Sequence, residues 1–91
     1  MGTQMHSCSN LYKYFKYTRY QADLESKLEC IEGRLQEIDG YLERYKSNSI
    51  LTESLVASYS KYEQQRLQLK LAISLINTKL ACFEYASFLE D

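Results

Sequence analysis

Apolar residues, with one glutamine among them, recur at alternating steps of three and four along the first half of this chain. The series is Tyr14, Tyr17, Gln21, Leu24, Leu28, Ile31, Leu35, Ile38, Leu42 and Tyr45. An average step of 3.5 residues keeps these side chains on one face of an α-helix and is the repeat of coiled coils. Charged residues fill most of the positions between them. This spacing therefore predicts a long amphipathic helix over about residues 11–46.

A second apolar series follows a short polar break at residues 46–49, whose Ser and Asn side chains favour turns and helix caps. We expect a turn at about 47–50, with Ser49 or Thr52 as the N-cap of the next helix. That helix is predicted over about 51–89. Because a connection of about four residues joins long helices as antiparallel neighbours, the two stripes should face each other.

The predicted fold class is all-α, an antiparallel helical hairpin of coiled-coil type. It forms a single domain over 11–91 after a flexible lead-in at 1–10. The sequence is also compatible with an extra short helical segment at the N-terminus. The absence of proline allows such long helices. With the turn centred near residue 48, facing positions sum to about 97. The predicted hairpin core is Leu24, Leu28, Ile31, Leu35, Ile38, Leu42, Leu55, Tyr59, Tyr62, Leu69, Ile73, Ile76 and Leu80.

Arg66 is the one charged residue within the second stripe. A charge buried there without a partner would be costly. We therefore expect its aliphatic stem to pack at the seam, with the guanidinium at the rim near Glu32 or Glu29.

The second helix carries more apolar surface than one neighbouring helix can cover. A further row lies beside the stripe, and exposed apolar rows of this kind mark interfaces. Either the tyrosine-rich N-terminal stretch folds back over the row, or another chain covers it. The predicted partner interface is Leu67, Leu71, Leu75, Cys82 and Phe83.

Composition narrows the class of function. A net charge of -1 argues against a dedicated nucleic-acid binder. We expect no membrane span and no export leader, and three cysteines without paired spacing indicate reduced thiols, so a cytoplasmic protein is predicted. No motif for catalysis, for a cofactor or for a metal site is present, and the prediction is a non-enzymatic protein.

The stretch 11–20 alternates aromatic and basic residues. It could pack as ordinary helix surface or against a protein, lie on a membrane, or stack on nucleic acid. Three cations are a small electrostatic footprint, which favours the first of these interpretations. Gly33 and Gly40 likewise have two interpretations: tolerated surface glycine, or close approach of another helix to the outer face of the first helix.

The order of these features resembles a known family, the small co-chaperones of type III secretion needle subunits (the YscE and PscE type). Residues 28–45 resemble their first helix. Residues 62–65, Tyr-Glu-Gln-Gln, and the apolar run at 67–76 resemble their second. The likeness covers about residues 24–83. It implies a cytosolic hairpin that binds a chaperone of tandem helical repeats (TPR-like) and helps to stabilise a needle subunit.

Two other functions remain open from the residues alone. One is a coiled-coil subunit of a larger eukaryotic or viral assembly, and the other is a homodimeric four-helix bundle without a dedicated client. All three are protein-binding roles, so a protein partner or a second copy of the chain is expected in each case.

Overall fold

The computed structural model describes the backbone over residues 2–90 and the side chains over residues 11–83. Two helices, α1 (Gly2–Arg44) and α2 (Ser49–Glu90), pack antiparallel into a rod with extents of 70 × 16 × 14 Å. The prediction of an all-α helical hairpin is therefore confirmed. Both helices follow the boundaries predicted at the turn to within two residues.

The N-terminal boundary of α1 differs from the prediction. The helix begins at Gly2 rather than near residue 11, and it continues without a break into the amphipathic part, so no separate N-terminal helix is present. Several residues at 3–10, namely the Thr, Ser and Asn residues, are weaker helix formers than leucine or alanine, but the stretch has no proline that would stop the helix. The side chains of the predicted lead-in at 1–10 lie outside the described residues.

Asn48 joins the two helices and caps the second. Its Oδ1 accepts a hydrogen bond from the backbone N–H of Leu51 at 3.1 Å, which makes Asn48 the N-cap in place of the expected Ser49 or Thr52. Thr52 has a different role, because its Oγ1 donates to the carbonyl of Tyr45 at 3.2 Å. The same carbonyl accepts the N–H of Asn48 at 3.0 Å. The turn thus satisfies backbone groups at the ends of both helices.

The seam between the helices contains the residues predicted for it. Leu24, Leu35, Ile38, Ile76 and Leu80 are buried, and every other residue of the predicted hairpin core is half-buried. Full burial of one such side chain contributes about 1.5–3 kcal/mol, so the seam is the main source of stability. The two apolar stripes therefore hold the hairpin together along most of its length.

The register agrees with the sum of about 97 expected from the sequence. Gln21 Nε2 donates a hydrogen bond to Asn77 Oδ1 across the seam, and Thr52 bonds to Tyr45 near the turn. At the open end, away from the turn, Leu24 forms a buried cluster with Ile76 and Leu80. Tyr14, Tyr17, Leu69, Ala72 and Ile73 pack around that cluster.

Arg66 is half-buried, as expected for a packed stem, but its ionic partner differs from the predicted one. Its Nη2 lies 3.6 Å from Oε1 of Glu63, one turn away on the same helix, rather than near Glu29 or Glu32. A partner three residues away is reached without crossing the seam, which is the physical reason for the difference.

Candidate partner-binding face

Among the described side chains of α2, Leu67, Leu71 and Leu75 form the most exposed apolar row. Their side chains are 63%, 62% and 66% exposed. At about 100° per residue, the row points away from Leu69, Ile76 and the rest of the seam. We call these three residues the leucine face. It is a second apolar surface on a helix whose other side is already packed.

The spacing of the leucine face differs from that of the seam. Its residues are four apart, whereas the seam alternates threes and fours. A row with a step of four is a ridge inclined to the helix axis, and such ridges pack in the grooves of a second helix that crosses at about 50°. The seam spacing instead suits helices that run side by side at about 20°. The leucine face thus presents an i, i+4 ridge of three leucines to a second helix.

Two further residues of the predicted partner interface have different environments. Cys82 is exposed and free, and so it can extend the leucine face. Phe83 is half-buried, and its ring stacks on Tyr17 of α1, with ring centroids 5.7 Å apart and planes at 28°. Within this chain, Phe83 thus belongs to the hairpin contact rather than to the outer face.

The aromatic stretch at the start of α1 does not fold back over the leucine face. Tyr14 and Tyr17 pack against the buried cluster at the seam. Leu11, Tyr12, Phe15 and Tyr20 are exposed. The described side chains of residues 11–20 therefore lie beside the seam or point into solvent and do not cover the leucine face.

A cleft of about 510 Å³ lies beside the leucine face, along one edge of the seam. Its lining is mainly apolar. Sequence reasoning missed this cleft, although a small residue, Ala72, at the edge of an otherwise bulky stripe was the available signal. The lining residues are Lys27, Cys30, Ile31, Gln65, Gln68, Leu69 and Ala72.

The outer face of α1 is open at its glycines. A Cβ atom built on Gly33 or on Gly40 meets nothing within 4 Å. Neither glycine is therefore required for packing within the chain. The two glycines affect the stability of α1 only through their backbone entropy, which is larger than that of alanine.

The described residues do not assemble a metal site or a membrane span. No group of three His, Cys, Asp or Glu side chains there is placed to hold a metal ion. In the same part of the chain, neither helix has an apolar stretch sufficient to cross a membrane.

In comparisons with protein-family models, with curated proteins and with solved structures, the chain matches none. The class of protein is therefore defined by the fold and its surface: a two-helix hairpin with one apolar stripe packed inside and a second apolar row facing outward.

Proposed function

We propose that this chain is a non-enzymatic, protein-binding hairpin that docks a helix of another protein on its leucine face. The observation that carries the proposal is the exposure of Leu67, Leu71 and Leu75 on the side of α2 opposite the seam. Apolar rows of this kind are unfavourable in water and favourable once covered. The hairpin is already packed through the seam, so the leucine face does not contribute to packing within the chain.

The size of the leucine face indicates how strongly it can bind alone. Covering what is still exposed of three leucines contributes about 3–6 kcal/mol, since a fully buried leucine is worth about 1.5–3 kcal/mol. Association costs about 4–15 kcal/mol in lost translational and rotational freedom and in ordering. The leucines by themselves therefore do not support tight binding. A stable complex also needs contacts at the edges of the leucine face.

In its specific form, the proposal is a small co-chaperone of type III secretion, acting in the bacterial cytosol with a chaperone of tandem helical repeats. This form rests on the sequence resemblance over residues 24–83. The hairpin itself is compatible with it, because an outward apolar helix face suits the concave surface that helical repeats form. Partner docking on the leucine face does not depend on this form.

Site-specific photocrosslinking in the native host tests the proposal. A photoreactive amino acid replaces Gln68, an exposed residue next to Leu71 and Leu75. We expect one discrete adduct, and we expect Leu71→Asp to remove it. A tandem helical-repeat protein in the adduct would support the co-chaperone form.

A second exposed apolar position, outside the leucine face, controls for nonspecific crosslinking. Ile50 is 81% exposed but lies near the turn, outside the leucine face. The photoreactive residue at position 50 should give no adduct, and Ile50→Asp should leave the adduct at position 68 unchanged. Because Leu71 is exposed, Leu71→Asp should change the free energy of unfolding by less than about 0.5 kcal/mol. An adduct that survives Leu71→Asp would rule out the leucine face as the docking surface.

A further inference from the structure

Basic side chains flank the leucine face on both edges. At about 100° per residue, Lys61 and Lys79 lie about 80° from Leu71 on the edge nearer the cleft, and Lys70 lies about 100° away on the opposite edge. All three lysines are exposed. Lys79 Nζ also lies 5.2 Å from the ring centroid of Tyr17 on α1.

Acidic residues are scarce on the same surface, where Glu63 lies about 80° from Leu71 on the edge of Lys70. Between Gln64 and Phe83, the sequence of α2 has no Asp or Glu. The carboxylate of Glu63 lies 3.6 Å from the guanidinium of Arg66 and is therefore paired within its own helix. The leucine face is therefore apolar at its centre and positively charged at its edges.

We propose that the partner segment is an acidic amphipathic helix, with an apolar row flanked by Asp or Glu side chains. The inference rests on the proposed function, because it names the chemistry of the helix that covers the leucine face. Lysines at both edges of an apolar contact attract carboxylates and disfavour basic partners. Their attraction also raises the rate of encounter before the apolar contact forms.

The same charges argue against a second copy of this chain as the occupant. If two copies packed leucine face to leucine face, each would bring Lys61, Lys70 and Lys79 to one shared interface. Such a symmetric contact sets like surfaces against each other, and like charges at an interface disfavour the complex. A different chain with acidic flanks has no such conflict.

Two synthetic helical peptides test the inference with the full chain. Both carry the same leucine row, and they differ only in flanking residues, glutamate in one and lysine in the other. We expect the glutamate peptide to bind about tenfold more tightly at low salt, as three weak charge pairs together allow. The difference should shrink as ionic strength rises, because exposed charges are screened. Fluorescence anisotropy of labelled peptides gives both affinities.

Charge reversal distinguishes the contribution of the lysines at the edges to peptide binding from that of the leucines at the centre. In the triple variant Lys61→Glu, Lys70→Glu and Lys79→Glu, the preference should reverse toward the lysine peptide. A control variant with the same change in net charge, Lys13→Glu, Lys16→Glu and Arg19→Glu on α1, should keep the original preference. Equal binding of both peptides that Leu71→Asp abolishes would overturn the acidic-helix inference and leave the proposed function standing.

Two further outcomes are also decisive. A dimer of the chain alone, seen by sedimentation and lost in Leu71→Asp, would show that the second copy is the occupant and would overturn the inference. Absence of binding by both peptides would count against the inference and the proposed function together. Tighter binding of the glutamate peptide than of the lysine peptide, with both lost in Leu71→Asp, would support both.

Discussion

The ring of Tyr17 on α1 stacks on the ring of Phe83 on α2, with centroids 5.7 Å apart. Among the described side chains, the contact joins the two helices on the side of the buried cluster of Leu24, Ile76 and Leu80 that lies away from the turn. Its loss should therefore loosen the open end first.

Replacing Phe83 with alanine should lower the free energy of unfolding by about 1–3 kcal/mol, through lost apolar burial and lost ring stacking. Urea unfolding followed by circular dichroism measures the change. Tyr12→Ala is the control, because Tyr12 is 70% exposed and its removal should cost less than about 0.5 kcal/mol. Equal effects of the two substitutions would show that the stack does not stabilise the hairpin.

Asn48→Ala should destabilise the chain by about 1 kcal/mol, because the N–H of Leu51 loses its side-chain acceptor. Asn48→Asp should retain stability, since a carboxylate accepts the same bond and interacts well with the helix dipole. Thermal unfolding compares the variants. If Ser49→Ala proved more harmful than Asn48→Ala, the cap would lie at Ser49 instead.

Gly33→Ala and Gly40→Ala should each raise the free energy of unfolding by about 0.5–1 kcal/mol, because alanine costs less backbone entropy within a helix. The new methyl groups meet nothing within 4 Å. The two sites are seven residues apart, so their effects should add. Melting temperatures at several protein concentrations test this. A decrease that depends on concentration would instead indicate a helix packed closely on the outer face of α1.

Cysteines in place of Gln21 and Asn77 should be joined by a short bis-maleimide within one chain, because these side chains meet across the seam. The native cysteines Cys8, Cys30 and Cys82 are changed to serine beforehand. Mass spectrometry of the dilute protein distinguishes linkage within a chain from linkage between chains.

A mismatched cysteine pair in the same experiment tests the register of α1 against α2. Cysteines at Gln21 and Lys70 lie about 10 Å further apart along the hairpin, at 1.5 Å per residue, and should link poorly. Linkage only between chains at positions 21 and 77 would contradict the hairpin and favour an extended coiled coil.

The seam was predictable because burial follows a strict periodicity. Leu35 and Leu24 lie on the same stripe, and a polar residue at such a position would lose its contact with water. The antiparallel register followed from a short turn near Asn48. The leucine face was predictable because α2 has more apolar surface than α1 can cover, and Leu71 falls on the side of α2 away from that stripe.

By itself, then, the sequence determined the two helices, their register and the presence of a second apolar row, since all three depend only on residue spacing. The tertiary structure decided the role of Phe83, whose place at the edge of the stripe suits either the seam or the outer face until Tyr17 is seen beside it. It also decided that Arg66 pairs with Glu63 and that Asn48 is the cap. These outcomes depend on side-chain geometry and on competition among neighbouring hydrogen-bond and ionic partners, which spacing along the chain does not specify.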